Sequence, residues 1–285
     1  FFVRLLSGSW KISPQNFLLL ALEAVLGLGI SCILLVPSVL CIMQNYRVSN
    51  PISGWNALLY DKNQRYVHIL QSLFFPPDLP ARPNFTPDSG SKWASLGAWL
   101  PMFSMTGVIG WLQMRRRHWL KKMLWILFVM ALVPGLNAAF QLLNASYYAR
   151  WFYMLTLMMA AATMMALENP CVDWKRSIKW TTVITAVTAL VIGLMPTLIK
   201  EDGEIVSVTY GLEKYPTRFW CYVAIALICL TLTAFLLTFY VRGSKKFFRA
   251  SFVCLSAVIT LYSIYFIALG KTQSDYTYNL SLIHI

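Results

Sequence analysis

The chain has 285 residues, of which 58% are hydrophobic and only 12% charged, and its formal net charge is +13. A soluble domain keeps about a quarter of its residues charged, so this composition excludes an ordinary soluble protein and indicates a surface largely covered by lipid. Long apolar stretches without the alternating pattern of a membrane barrel predict an all-α, polytopic transmembrane helical bundle.

About seven windows approach the ~20 residues that a helix needs to cross a bilayer. In chain order they are 17–43, 96–112, 123–143, 151–168, 180–199, 219–241 and 251–269. Lys and Arg are concentrated in alternate connections, which the positive-inside rule places in the cytoplasm. These cytoplasmic connections are 113–122, 169–179 and 242–250, and the connections predicted to lie outside are 44–95, 144–150 and 200–218. The basic charge is therefore explained by topology, and no nucleic-acid partner is expected.

The first long outer connection contains an amphipathic pattern over residues 63–75. Its apolar face carries Tyr66, Ile69, Leu70, Leu73 and Phe74, and its polar face carries Gln64, Arg65, His68, Gln71 and Ser72. This spacing predicts a helix that lies on the outer leaflet. The three outer acids Asp61, Asp78 and Asp88 have nothing in their sequence context that marks a catalytic base.

The third predicted span ends in a polar stripe. Asn137, Gln141 and Asn144 are spaced i, i+4, i+7, which would place them on one face of a continuous helix. Pro134 lies one turn earlier and is expected to kink that helix, because proline removes a backbone hydrogen bond. Polar groups inside spans are costly and therefore informative.

The stripe leads into Arg150, which is surrounded by aromatic residues. Its guanidinium suits a phosphate group, and the rings of Tyr147 and Tyr148 would shield the site from water. The functional hypothesis is a phosphate clamp at an outer-leaflet cavity lined by Asn137, Gln141 and Asn144. The alternative is an interfacial anchor without a ligand, since Arg, Tyr and Trp often collect at helix ends.

Other motifs point to ordinary structural roles. The connection 200–218 is expected to be a solvated loop with a small hairpin. The six cysteines form no CxxC pair, and the three histidines are scattered, so the sequence predicts no metal site and no cofactor. A divalent metal that assists phosphate chemistry is conceivable, but no residue pattern supports one.

Two stretches, "FPPDLPARPNFTPDSGSKWASLGAWLPMF" and "NASYYARWFYMLTLMMAAATMMALE", resemble the YfhO family of bacterial membrane proteins, relatives of the GT-C glycosyltransferases. The likeness runs over residues 4–278. It implies a multi-pass protein of the bacterial cell membrane that takes a sugar from a polyprenyl-phosphate carrier on the outer face. The implied acceptor is a cell-envelope polymer such as teichoic acid, and Arg150 would stabilise the departing lipid phosphate.

The family's acidic motif, an Asp in a D-L-x-x-Q-Y-like stretch, has no counterpart in this sequence. The chain begins at Phe1 without Met, and residues 280–285, "LSLIHI", resemble a sequencing-adapter end. Residues 1–279 are therefore interpreted as a single transmembrane domain from a longer protein, whose catalytic carboxylate is expected before Phe1. Two alternatives remain. One is a transporter or lipid flippase, which would be expected to have ionisable residues at mid-bilayer and broken helices. The other is a non-catalytic scaffold.

Overall fold

The structure is a computed structural model. It describes residues 2–8, 11–44, 51–61, 64–78, 97–114, 117–141, 143–145, 147, 149–201, 204–213, 215–241 and 246–271. Within these residues the helices are α1 (Phe2–Leu6), α2 (Pro14–Met43), α3 (Gln64–Phe74), α4 (Thr106–Gln113), α5 (Trp119–Leu132), α6 (Pro134–Ala138), α7 (Phe152–Leu167), α8 (Trp174–Leu194), α9 (Pro216–Val241) and α10 (Lys246–Lys271). Short 3₁₀ turns cover Gly54–Ala57 and Ala139–Gln141.

One two-stranded antiparallel hairpin interrupts the helical structure. Its strands are β1 (Pro196–Glu201) and β2 (Glu204–Tyr210), with an irregularity in register between Ile199 and Lys200. The helical class predicted from the sequence is confirmed for the described residues, and so is the small hairpin in the connection 200–218.

Among the described residues, four helices are long and apolar enough to cross a membrane. They are α2, α8, α9 and the Lys246–Ala268 part of α10. The helices in the other three predicted spans are shorter: α4 has 8 residues, α5 has 14 and α7 has 16. The structure thus supports a membrane protein, while the count of seven spans is not confirmed.

The third predicted span is broken at Pro134. Helix α5 ends at Leu132, Val133 is extended (φ −103°, ψ 115°), and α6 starts with Pro134 at its first position. The expected kink is confirmed, and its cause is the clash that a proline makes with a helical residue before it. The chain then passes through a 3₁₀ turn to Leu143, whose φ is +57°.

The chain divides into two compact units, and the single transmembrane domain expected over 1–279 stays a prediction. The first unit is Phe1–Asp61 with Arg115–Tyr148, and the second is Lys62–Met114 with Ala149–Ile285. In the first unit, the Tyr60 hydroxyl donates to the carbonyl oxygen of Ala131 at 2.9 Å, and its ring packs edge-on against Tyr147. Helix α2 also belongs to this unit, and none of its residues is buried.

The second unit has a close-packed helical core. A Cβ added at Gly107 of α4 would lie 2.4 Å from Thr163 of α7, and one at Gly110 would lie 2.9 Å from Val172. Helix α8 also packs against α4. It carries three fully buried hydroxyl residues, namely Ser177, Thr181 and Thr185. Small and hydroxyl residues at helix contacts are typical of membrane bundles, because they let backbones approach closely.

The segment just before α4 is irregular and buried. Met102 and Ser104 have positive φ values of 67° and 47°, and both are at most 1% exposed. The Thr233 hydroxyl of α9 donates to the Met102 carbonyl oxygen at 2.7 Å. The irregular backbone is thus surrounded by protein, which is the condition under which a membrane protein tolerates such backbone.

Helix α3 (Gln64–Phe74) lies within the predicted 63–75, but its burial differs from that of an amphipathic surface helix, so the predicted surface helix is not confirmed. His68, Gln71 and Ser72 from the predicted polar face are buried, while Leu70 from the apolar face is exposed. The reason is that α3 packs against α8 of the same unit. The helix is therefore part of the protein core, and a position on the outer leaflet stays a prediction.

Candidate phosphate-binding site

Arg150 lies directly before the N-terminus of α7. Trp151 is the N-cap residue and makes no side-chain hydrogen bond to the helix, and the Arg150 side chain is exposed. The first turn of a helix has a partial positive charge from the helix dipole. In α7 the amides of Phe152 and Met154 donate to the carbonyl oxygens of Ala149 and Trp151, both at 2.9 Å. The guanidinium of Arg150 adds a full positive charge at the same end, so the local field favours an anion.

A cavity of about 430 Å³ opens beside Arg150. It is lined by Gly97, Arg150, Tyr153 and Thr156, all of which belong to the second unit. The three residues from α7 and its N-terminus follow one another at helical spacing, so they line one side of the cavity. The cavity falls in the size range of sites for small ligands or ligand headgroups.

The side chains of the cavity have different chemical capacities. The Thr156 hydroxyl donates to the Phe152 carbonyl oxygen at 2.9 Å, so its proton is engaged within the helix. Tyr153 is 71% exposed and offers a ring face beside the cation. Arg150 is the charged residue among the described lining residues, which can hold an anionic group and include no acid–base pair.

Gly97 lines the cavity from outside α7 and its N-terminus. A Cβ at this position would lie 3.3 Å from the Cβ of Pro77. The next residue, Ala98, donates its amide to the Ser72 carbonyl oxygen at the end of α3, at 3.2 Å. The position of this wall therefore depends on residues 72–77.

The polar stripe predicted from the sequence is not a single helical face. Helix α5 has ended before Asn137, so the expected i, i+4, i+7 alignment with Gln141 and Asn144 is wrong. The break at Val133–Pro134 and the 3₁₀ turn change the rotation per residue, so the backbone from Asn137 to Asn144 is not one continuous α-helix.

The predicted site residues lie in different units. Asn137, Asn144 and Tyr147 are buried in the first unit, where Asn144 also pairs its backbone with Pro51. Arg150 belongs to the second unit. The side chain of Gln141 and all of Tyr148 lie outside the described residues. The described part of the chain thus assigns Arg150 alone of the six predicted residues to the cavity.

A buried ion pair near the cavity was missed by sequence reasoning. Arg218 Nε lies 3.2 Å from Asp78 Oδ1, its Nη2 donates to Oδ2 at 3.3 Å, and the two side chains are 11% and 12% exposed. The hydroxyl of Tyr222 donates to Oδ1 at 2.9 Å. The sequence signal is that Asp78 follows a Pro-Pro pair and Arg218 opens a span, but neither position reveals the partner.

The contacts of Asp78 bear on the search for a catalytic base. Both carboxylate oxygens lie within ion-pair distance of the Arg218 guanidinium. The sequence analysis assigned no base to Asp78, and the identity of the base stays open. Among the described residues no cluster of His, Cys, Asp or Glu has the composition of a metal site.

Comparison of the chain with known protein families, curated proteins and solved structures finds no significant match. The resemblance to the YfhO family therefore stays a prediction from the quoted motifs.

Proposed function

We propose that this chain is part of an integral membrane glycosyltransferase. The enzyme moves a sugar from a polyprenyl-phosphate carrier to a cell-envelope polymer, such as teichoic acid, on the outer face of the bacterial membrane. The support is the motif resemblance together with one structural observation, the cavity beside Arg150 at the N-terminus of α7. Four helices with the length and composition of membrane spans are consistent with this location.

The proposed role of Arg150 follows from the chemistry of the reaction. An acceptor hydroxyl attacks the anomeric carbon, the bond from that carbon to the phosphate oxygen breaks, and negative charge develops on the departing lipid phosphate. A guanidinium fork and the positive end of α7 would stabilise that charge. Tyr153 would stack on a lipid or sugar face. The acceptor's proton needs a base, and we assign none in the described residues.

The proposed topology places the cavity at the outer face. Connections 44–95, 144–150 and 200–218 are outside, and 113–122, 169–179 and 242–250 are cytoplasmic, in agreement with the distribution of Lys and Arg. Arg150 then lies where the hydrocarbon of the outer leaflet meets its headgroups. A lipid phosphate would reach it without leaving the membrane surface. Of the six residues of the sequence hypothesis, this proposal uses Arg150, which lines the cavity. A role in binding for the other five, Tyr147, Tyr148, Asn144, Gln141 and Asn137, stays a prediction from the sequence.

A transporter or lipid flippase is the second candidate, and one observation favours it. The segment before α4 is a broken, buried stretch with left-handed Met102 and Ser104. Transporters place substrate sites at such interruptions. Against this, the stretch 97–105 carries no ionisable side chain.

The decisive experiment measures binding of farnesyl phosphate, a short polyprenyl phosphate, to the purified full chain in detergent. Arg150→Ala should weaken binding by roughly tenfold or more, since a charged hydrogen bond contributes about 1.5–3 kcal/mol. Arg150→Lys should recover only part of the affinity, because it keeps the charge but loses the fork. The matched control is Arg117→Ala, an exposed arginine in the predicted cytoplasmic connection.

Two outcomes would contradict the proposal. Unchanged binding in Arg150→Ala would remove the phosphate clamp. Equal binding of farnesol, which lacks the phosphate, would show that the chain recognises the hydrocarbon alone. Movement of a labelled farnesyl phosphate across vesicles without sugar transfer would instead favour the flippase.

A further inference from the structure

We propose that Asp78 and Arg218 are positioning residues that set the width of the cavity beside Arg150. The ligand that the cavity takes rests on the proposed function, but the geometry of its wall does not. The contacts connect the ion pair through Pro77 to Gly97, and all these residues belong to the second unit.

The ion pair is built as a fixed connection. Two nitrogens of the guanidinium fork reach the carboxylate of Asp78: Nη2 donates to Oδ2 at 3.3 Å, and Nε lies at an ion-pair distance of 3.2 Å from Oδ1. The guanidinium also lies over the ring of Tyr215, 4.5 Å from its centroid. One hydrogen bond, a second ion-pair contact and a stacked guanidinium together restrict rotation of the Asp78 side chain.

Two further contacts hold the same short segment against the last two helices. Tyr222 of α9 donates to Asp78 Oδ1 at 2.9 Å, and Tyr262 of α10 donates to the carbonyl oxygen of Pro77. We call Pro77, Asp78, Arg218, Tyr222 and Tyr262 the Asp78 cluster. It ties the chain after α3 to both α9 and α10.

The cluster is in contact with the cavity wall. Pro77 lies so close to Gly97 that a Cβ there would be 3.3 Å from the Pro77 Cβ. The ring of Trp99 packs edge-on against Tyr262 with centroids 6.3 Å apart. Residues 97–99 therefore contact the Asp78 cluster, and Gly97 lines the same cavity as Arg150.

It follows that a change in the ion pair should alter the cavity although neither of its members lines it. Loss of the fork would free the Pro77–Asp78 segment, and Gly97 would lose the surface that it rests on. The competing interpretation is that the pair serves only the packing of α9, in which case the cavity would keep its shape until the whole unit loosens.

The test measures how fast a cysteine in the cavity reacts. Thr156→Cys places a thiol in the lining, and N-ethylmaleimide labelling is quantified by peptide mass spectrometry in the full chain. The native Cys171 is exposed and supplies an internal reference in the same sample. With Asp78→Asn added, labelling of Thr156→Cys should rise at least threefold while labelling of Cys171 stays constant.

Conservative variants keep the test decisive if Asp78→Asn does not fold. Arg218→Lys keeps the charge but loses the fork, and Tyr262→Phe removes only the hydrogen bond to Pro77. Each should raise labelling of Thr156→Cys in the same direction. Unchanged labelling in all folded variants, or an equal rise at Thr156→Cys and Cys171, would overturn the positioning role.

Failure of this inference can be told apart from failure of the proposed function. Farnesyl phosphate should protect Thr156→Cys from labelling in the chain with an intact Asp78 cluster, and farnesol should not. Absence of protection with a preserved effect of Asp78→Asn would reject the ligand and keep the positioning role. Protection without an effect of Asp78→Asn would do the reverse.

Discussion

Helices α2 and α8 both have the length and hydropathy of membrane spans but differ in burial. Both are long and apolar enough to cross a membrane, and α2 is the more hydrophobic of the two. Yet no residue of α2 is buried, whereas Ser177, Thr181 and Thr185 of α8 are inaccessible to solvent. Hydrophobicity identifies both helices as candidate spans, but it does not tell which of them packs against other helices.

The difference lies in the groups that each helix offers to a neighbour. Between apolar helices in lipid there is no hydrophobic driving force, so packing depends on close backbone approach and hydrogen bonding. Helix α8 meets α4 where Gly110 would place a Cβ 3.0 Å from the Ser177 hydroxyl oxygen. Around Gly27 and Gly29 of α2, no atom lies within 4 Å of an added Cβ.

The largest predicted effect on the free energy of unfolding is that of adding a methyl group at a glycine in a helix contact. Gly107→Ala should lower the free energy of unfolding by about 3 kcal/mol, because its Cβ would lie 2.4 Å from Thr163 and overpack the contact of α4 with α7. Gly27→Ala in α2 should have an effect below about 0.5 kcal/mol, as expected for a substitution that meets no neighbour. Unfolding by sodium dodecyl sulfate in detergent micelles measures both.

A double substitution checks the mechanism at Gly107. Thr163→Gly removes all three atoms that the new Cβ would meet, so Gly107→Ala with Thr163→Gly should recover part of the loss. If Gly107→Ala and Gly27→Ala cost the same, the packing difference between the two regions is not real.

Lowering the pH should destabilise the second unit through protonation of His68. Burial in α3 lowers the pKa of His68 from 6.5 to about 4, so the folded state holds the imidazole neutral. The unfolded chain takes up a proton below pH 6.5, and stability that is present above that pH is lost as the pH falls towards 4. Between pH 7.5 and pH 5 the loss should be about 2 kcal/mol. Unfolding measured at the two pH values tests this, and His68→Leu should flatten the dependence.

A substitution within α8 is expected to have a smaller effect on the free energy of unfolding. Thr181→Ala deletes a buried methyl group and a hydroxyl that donates to the Ser177 carbonyl oxygen at 2.9 Å. The expected loss is about 1 kcal/mol from the small cavity that remains. Ser31→Ala removes the matching bond to Gly27 in exposed α2 and should change stability by less than about 0.3 kcal/mol. Equal losses in the two variants would contradict the comparison.

The sequence predicted the elements better than their packing. The break at Pro134, the helix over 63–75 and the hairpin follow from local chemistry, and all three are found. The burial of His68 and the pairing of Asp78 with Arg218 could not be predicted, because they depend on contacts between residues far apart in the chain. Arg150 was recognised by its charge, whereas Gly97 has no side chain that could signal a cavity wall.

The smallest predicted effect lies in the first unit, at the start of α5. His118 caps this helix: its Nδ1 accepts the Leu120 amide at 3.2 Å, which requires a neutral imidazole. Partial burial, and then the charges of Arg4 and Lys121, lower the pKa of His118 below 6.5. The cap is therefore intact above pH 6.5 and is lost as the pH falls through the lowered value. Hydrogen exchange at Leu120, corrected for its intrinsic pH dependence, should lose a few-fold of its protection between pH 7.5 and 5. His118→Asn caps at every pH and should abolish that change, while His68→Leu should leave it intact. A response that follows His68 instead would show that acid acts on this helix through the packed region and not through its own cap.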